Sequence, residues 1–168
     1  MKTTLNKILE QIHQFEAGDL PAKNWDISSL MTKLSSTFRA QLKLIKAPEY
    51  VSSDALVIYF SPDARALPSN AVPQTGNALY AAFIRLSWLF PYTTICWQST
   101  RDGRHWIALR PDELPPEIKK VSDRLASFLD EQGFIVIAGP LLDVEVPGQR
   151  SELDDSPASV YQVLFSEL

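Results

Sequence analysis

The sequence predicts a single α+β domain over residues 1–168, with a mainly antiparallel sheet of about five to six strands, an N-terminal helical pair and two further helices. Three observations lead to this prediction. Apolar residues recur at helical spacing near both ends of the chain, whereas the centre carries short β-branched and aromatic runs. The helical and strand patterns do not alternate one by one, as they would in a parallel, doubly wound fold. A length of 168 residues is enough for one sizeable core.

Residues 1–45 are predicted to form the helical pair. The apolar stripe of the first helix consists of Leu5, Ile8, Leu9, Ile12 and Phe15. A turn at Gly18 and Pro21 then makes the two helices antiparallel. Asp26 is a suitable N-cap for the second helix, which we expect to continue to about Lys43.

Residues 55–110 are predicted to be rich in β-structure. The expected elements are a buried strand at 55–60, a long irregular loop at 61–77, and strands at 80–88, 93–100 and 105–109. Loops as long as 61–77 are uncommon and often functional. The last two strands form a hairpin in which Asp102 and Gly103 supply a two-residue turn. That turn places Trp97 and Trp106 on one apolar face, where both are expected to pack in the core.

Residues 116–168 are predicted to contain a helix, two strands and a C-terminal helix. The stripe of the first helix is Ile118, Val121, Leu125, Phe128 and Leu129. The expected elements after it are an apolar strand at 134–138, a half-exposed strand at 142–146, a turn at 147–148 and a last helix from Asp155. This last helix is expected to bury Val160, Leu164 and Phe165.

The composition excludes several classes of function. The formal charge is −4 and the isoelectric point about 5.2, so nothing global draws the chain to phosphates, and we expect no nucleic-acid partner. The longest apolar run, 78–90, is too short for a bilayer span, so we expect no membrane partner. The first residues lack the apolar core of a signal peptide, and a single cysteine cannot form an internal disulfide. The expected location is therefore the cytoplasm.

Few residues suit catalysis or metal binding. Two histidines and one cysteine lack zinc-ligand spacing, and glycine-rich phosphate loops are missing, so we expect no metal, no small-molecule cofactor and no catalytic residue. Cys96 lies mid-strand between Ile95 and Trp97 and is interpreted as a buried hydrophobe. The expected register pairs it with Leu109, so a dyad with His105 would need a different register. One enzyme hypothesis stays open. A small metal-independent hydrolase or nuclease would use His105 for proton transfer and Arg101 or Arg104 to hold a phosphate.

The negative charge is concentrated in the C-terminal segment. Residues 143–168 contain six acids and one base, a net charge of −5, whereas residues 1–142 carry +1. One interpretation is solubility, together with a favourable carboxylate at the start of the last helix. The other is an acidic surface that docks on a basic protein partner and guides its approach. The expected partner-binding residues are Asp143, Glu145, Glu152, Asp154 and Asp155.

Three stretches in the last third of the chain carry a family resemblance: GFIVI at 133–137, LDVEVPG at 142–148 and VYQVLFSE at 160–167. In these stretches, this small acidic α+β chain resembles the immunity proteins of bacterial polymorphic and contact-dependent growth-inhibition toxins. The resemblance implies a cytoplasmic inhibitor that binds one cognate toxin domain, often a basic nuclease, and occludes its active site. A structural adaptor or chaperone without electrostatic preference is the remaining alternative.

Overall fold

A mainly antiparallel sheet organises the chain in the computed structural model, which describes residues 2–16, 26–45, 53–88, 90–151 and 155–166. The described helices are α1 (Lys2–Glu16), α2 (Ile27–Phe38), α3 (Pro116–Glu131) and a short C-terminal helical segment (Gln162–Ser166). The described strands are β1 (Lys43–Ile45), β2 (Ser53–Phe60), β3 (Ala66–Leu67), β4 (Leu79–Ser87), β5 (Tyr92–Thr100), β6 (Ile107–Leu109), β7 (Ile135–Val136), β8 (Glu145–Arg150) and β9 (Pro157–Ser159). The predicted α+β class is confirmed.

The main sheet has the order β1-β2-β4-β5-β6 within the described residues. Each of its outer edges is shared by two short strands. β1 and β3 both pair with the free edge of β2, and β6 and β7 both pair with that of β5. Every pairing is antiparallel except that of β7 with β5, which is parallel. β8 and β9 form a separate two-stranded ribbon.

One face of the sheet is covered by α2 and α3. The predicted stripe of α3 is confirmed, because Ile118, Val121, Leu125, Phe128 and Leu129 are all buried. They pack against the sheet residues Leu56, Ile58, Phe60, Ala82, Ile84, Leu86 and Trp97, which the register places on that face. We call this cluster the helix-side core.

The C-terminal segment covers part of the opposite face. Its core, which we call the C-terminal core, consists of Ile8, Ile12, Phe90, Tyr92, Ile137, Val146, Ala158, Val160, Val163, Leu164 and Phe165. The buried hydroxyl of Ser53 donates to the carbonyl oxygen of Phe165 at 2.5 Å. The guanidinium of Arg85 lies 5.7 Å from the ring centroid of Tyr161. These contacts hold the C-terminal segment against β2 and β4.

The two N-terminal helices therefore belong to different cores. Ile8 and Ile12 of α1 are buried in the C-terminal core, whereas Leu30 and Leu34 of α2 are buried in the helix-side core. The predicted turn between the helices, at Gly18 and Pro21, lies outside the described residues.

The second helix is shorter than its sequence indicates. The N-cap is confirmed, because a carboxylate oxygen of Asp26 accepts a hydrogen bond from the Ser29 amide at 3.1 Å. The predicted end at Lys43 is wrong. Arg39 adopts a left-handed conformation with φ 49° and ends the helix, and Lys43 then begins β1, which pairs with β2. Pairing with a distant strand outweighs local helix propensity here.

The register of the β5–β6 hairpin differs from the predicted one by a residue. Ser99 pairs with Ile107, so Trp97 lies opposite Leu109, and Trp106 lies on the other face, beside Tyr59. Trp97 is buried as expected, but Trp106 is only half-buried. The physical reason is the side chain of Asp102, described below, which accepts several hydrogen bonds and closes a longer tip than a two-residue turn.

The C-terminal segment also departs from the prediction. The strand expected at 134–138 is confined to β7, and the one expected at 142–146 begins only at Glu145. The turn expected at 147–148 is an irregularity inside β8, where Gly148 has φ 83°. The helix expected from Asp155 is wrong at its start, because 157–159 form β9. The three predicted core residues Val160, Leu164 and Phe165 are nevertheless buried.

Candidate functional site

The acidic C-terminal segment is built around the β8–β9 ribbon, and we call its described residues, 143–151 and 155–159, the acidic hairpin. Glu145 pairs with Ser159 and Arg150 with Pro157, so five steps along β8 span two steps along β9. The extra residues of β8 must therefore bulge out of the ladder. Next to the hairpin end, the amide of Asp155 donates to the carbonyl of Ser151 at 3.0 Å.

One side of the acidic hairpin is anchored in the C-terminal core. Val146 and Ala158 are buried there. The chain that follows is held to it by backbone bonds from Val160 to the Val144 carbonyl at 2.8 Å and from Tyr161 to the Leu142 carbonyl at 2.9 Å. The side chains that point away from this anchor are therefore presented on an ordered backbone.

Three of the five predicted partner-binding residues lie on the exposed side of the described structure, namely Asp143, Glu145 and Asp155. The other two, Glu152 and Asp154, lie outside the described residues. The structure therefore supports the exposure of the predicted acidic surface at three positions.

The three exposed carboxylates differ in their partners. Asp155 is paired with Arg150, whose Nη1 lies 3.0 Å from a carboxylate oxygen and also donates to the Asp155 carbonyl at 2.8 Å. Asp143 and Glu145 have no ion-pair partner among the described residues. Among the described residues, Arg150 thus offsets the charge of Asp155, and the carboxylates without an ion-pair partner, Asp143 and Glu145, lie at the other end of the hairpin. Sequence reasoning missed the Arg150–Asp155 pair, because it forms only when the hairpin closes.

The tip of the β5–β6 hairpin carries the residues of the enzyme hypothesis. One carboxylate oxygen of Asp102 accepts from the amides of Arg104 and His105, each at 2.9 Å, and the other lies 2.6 Å from Nδ1 of His105. The hydroxyl of Thr100 also donates to Asp102 and accepts from the Gly103 amide. Asp102 therefore organises the whole tip.

The contact between Asp102 and His105 shifts the pKa values of both side chains. The His105 amide and ring hold the pKa of Asp102 well below its usual range, and the hydrogen bond to Asp102 raises the pKa of His105. The His105 side chain is 84% exposed, however, and Arg101 and Arg104 are exposed as well. This exposure leaves little protein surface around the His105 ring to position a substrate.

Cys96 is half-buried on β5, opposite Phe83 of β4. Burial raises the pKa of its thiol, which favours the neutral and unreactive form. Nearby charge from Arg85 and a hydrogen bond with Thr94 oppose this shift without cancelling it. The observed β5–β6 register does not place Cys96 opposite His105.

The described tryptophans occupy three different settings. Trp97 is buried and its indole N–H donates to the Ser122 hydroxyl at 3.0 Å. Trp106 is half-buried against Tyr59, with ring centroids 6.0 Å apart. Trp88 is exposed, and its indole N–H donates to Asp54.

A search of the described ranges finds neither a group of three potential metal-ligating side chains nor a helix with the length and hydropathy to cross a bilayer. Comparison of the chain with protein-family models, with curated proteins and with solved structures finds no match in any of the three. The geometry therefore carries the functional interpretation.

Proposed function

We propose that this chain is a cytoplasmic binding protein that inhibits a basic cognate toxin, such as a nuclease domain, by covering its active site with the acidic hairpin. One observation carries the proposal: Asp143 and Glu145 are exposed and without an ion-pair partner among the described residues, in a segment of net charge −5. The choice of a toxin as partner follows the family resemblance of residues 133–137, 142–148 and 160–167.

An ordered carboxylate surface suits the recognition of a cationic site. The active site of a nuclease has a positive electrostatic potential that attracts phosphates. Carboxylates of a protein inhibitor can be attracted to the same site. The anchored backbone of the acidic hairpin lowers the conformational entropy lost on binding. Complementary charge also speeds association, which benefits an inhibitor that must act before its toxin does.

The hydrolase alternative receives less support from the same geometry. His105 is solvent-exposed, and its ring is held by Asp102, the residue that organises the hairpin tip. The acidic hairpin, in contrast, has two exposed carboxylates that form no ion pair with the described residues.

The test uses the C-terminal domain of the protein encoded immediately upstream of this chain, where such systems place the toxin. Calorimetric titration of the purified chain with that domain should show tight binding that weakens with added salt, because exposed charges are screened. The double change Asp143→Lys with Glu145→Lys should lower the affinity by about tenfold or more and reduce the salt dependence.

A matched control is Asp123→Lys with Glu131→Lys on α3, which alters the net charge by the same amount at exposed positions. This control should keep the affinity close to that of the unmodified chain. An equal loss of affinity in both double variants would show that only the net charge matters, and it would refute a localised binding surface. An affinity that does not change with salt concentration would favour a structural adaptor. No binding to the upstream domain would refute the toxin partner.

A further inference from the structure

A cavity of about 470 Å³ lies within the long loop that connects β2 to β4, away from the acidic hairpin. All of its lining residues fall between Ser61 and Leu79, so it shares none with the hairpin. The sequence predicts a long irregular loop here from its prolines and Gly76, but it does not indicate a cavity. The volume falls in the range of about 300–1,000 Å³ typical of small-molecule sites.

The floor of the cavity is apolar and continues one face of the sheet. Leu67 pairs with Tyr59 and Leu79 with Thr100, so both leucines lie on the face opposite the helix-side core. The C-terminal segment contacts β2 and β4 near Ser53 and does not line the cavity. Leu79 is itself buried, so the apolar surface open to a ligand belongs to the half-buried Leu67 and to Val72, which is 75% exposed and also lines the cavity.

The wall of the cavity is a proline-rich loop with external support. Pro62, Pro68 and Pro73 all line the cavity and restrict its backbone. The β5–β6 tip approaches the loop so closely that a Cβ at Gly103 would lie 3.2 Å from Cδ of Pro73. The cavity is therefore largely formed before any ligand arrives, which lowers the entropic cost of binding.

Two opposite charges line the same cavity without pairing. Asp63 accepts a hydrogen bond from the Ser61 hydroxyl, and its exposed carboxylate retains further acceptor capacity. Arg65 lies near enough to help lower the pKa of Asp63, after the larger effect of the Ser61 bond. No contact of 4.0 Å or less joins Arg65 to Asp63 or to another carboxylate in the described ranges. Ala64 between them has φ 62°, a conformation unusual for a non-glycine residue.

We propose that this cavity binds a small zwitterion with an aliphatic side chain, such as a free aliphatic amino acid. Arg65 binds the carboxylate of the ligand, and Asp63 binds its ammonium group. The aliphatic side chain packs on Leu67 and Val72, where it replaces water on an apolar surface. The site is independent of the toxin-binding proposal and remains open to test if that proposal fails.

The test is a titration of the isotope-labelled full chain, followed by NMR, with three probes that share the leucine side chain. L-leucine carries both charges, N-acetyl-L-leucine only the carboxylate, and L-leucinamide only the ammonium group. Millimolar L-leucine should shift the amides of residues 61–79, and each blocked probe should bind about tenfold more weakly, since each loses one charged contact. These comparisons use the unmodified protein and need no variant to fold.

Variants assign the two charges. Arg65→Gln should weaken L-leucine binding by about tenfold and leave the affinity for L-leucinamide unchanged, because L-leucinamide has no carboxylate. Asp63→Asn should also weaken L-leucine binding by about tenfold and leave the affinity for N-acetyl-L-leucine unchanged, because that probe has no ammonium group. Arg101→Gln, at an exposed position outside the cavity lining, is the matched control and should change nothing. Absence of shifts with millimolar L-leucine would overturn the proposal. Equal affinities for the three probes would overturn the charge assignment on which it rests.

Discussion

The two cores can be compared by one matched pair of substitutions, Leu125→Ala and Leu164→Ala. Both leucines are 0% exposed, Leu125 in the helix-side core and Leu164 in the C-terminal core. The same strands serve both faces of the sheet. In β2, for example, Leu56 faces the helices while Val57 lies on the opposite face. We therefore expect the two cores to unfold as one cooperative unit.

The magnitude follows from the buried volume that is lost. Removing a fully buried leucine side chain beyond Cβ costs about 2–5 kcal/mol, including the residual cavity. The whole chain is expected to be stable by about 5–15 kcal/mol. With a urea dependence of about 2 kcal/mol per molar, each variant should lower the unfolding midpoint by about 1–2.5 M.

The assay combines urea unfolding, followed by circular dichroism, with native-state hydrogen exchange. Cooperative unfolding predicts that each substitution lowers protection in both α3 and the β8–β9 ribbon by the same free energy, where exchange requires global opening. If Leu164→Ala accelerated exchange only in the ribbon and left α3 unchanged, the cores would be separate units. A cost below about 1 kcal/mol for Leu164→Ala would likewise contradict its tight packing.

Three further outcomes follow from single contacts. Ser53→Ala should destabilise the fold by about 1–3 kcal/mol in urea unfolding, because it leaves the buried carbonyl of Phe165 without its donor; unchanged stability would contradict this role. The pKa of His105 should lie above its usual value of about 6.5 in an NMR titration and return towards it in Asp102→Asn, and no change would show that the pair does not persist in solution. Because the folded pKa is raised, any stabilisation by this pair is present below the unfolded pKa and is lost as pH rises through the folded value. The Cys96 thiol should react with iodoacetamide at pH 8 about tenfold more slowly than free cysteine, since burial raises its pKa, and an equal rate would show an accessible thiolate.

The parts of the fold that local patterns encode could be predicted. The stripe of α3 has helical spacing over a full 16 residues, and β2 carries a β-branched and aromatic run that fits a buried strand. The N-cap at Asp26 needs only a carboxylate three residues before an amide. Each of these features depends on neighbours in sequence.

The parts that depend on distant partners could not be predicted. β1 is three residues long and is defined by its pairing with β2, and β9 is defined by its pairing with β8. The hairpin register depends on which donors Asp102 binds, and a shift of one residue moved Trp106 to the other face. A short strand therefore follows from the tertiary contacts and not from its composition.

The candidate site shows the same division. The exposure of Asp143 and Glu145 was predicted from alternation with buried neighbours. The sequence could not show that these two carboxylates have no ion-pair partner among the described residues, whereas Asp155 pairs with Arg150, because this depends on the geometry of the β8–β9 ribbon. The cavity between Ser61 and Leu79 required the loop conformation, because the sequence predicts a long irregular loop but does not indicate a cavity.

The anchoring of the C-terminal segment has a consequence for biosynthesis. The bond from Ser53 to Phe165 joins residues 112 positions apart, and the C-terminal residues that cover part of the second face are made after every described strand of the main sheet. While the ribosome is still making them, Val57 and its neighbours on that face lack part of their apolar cover. The nascent chain therefore keeps this apolar surface exposed to aggregation until residues 143–166 have been made, and closure over so long a separation is expected to be a slow step in folding.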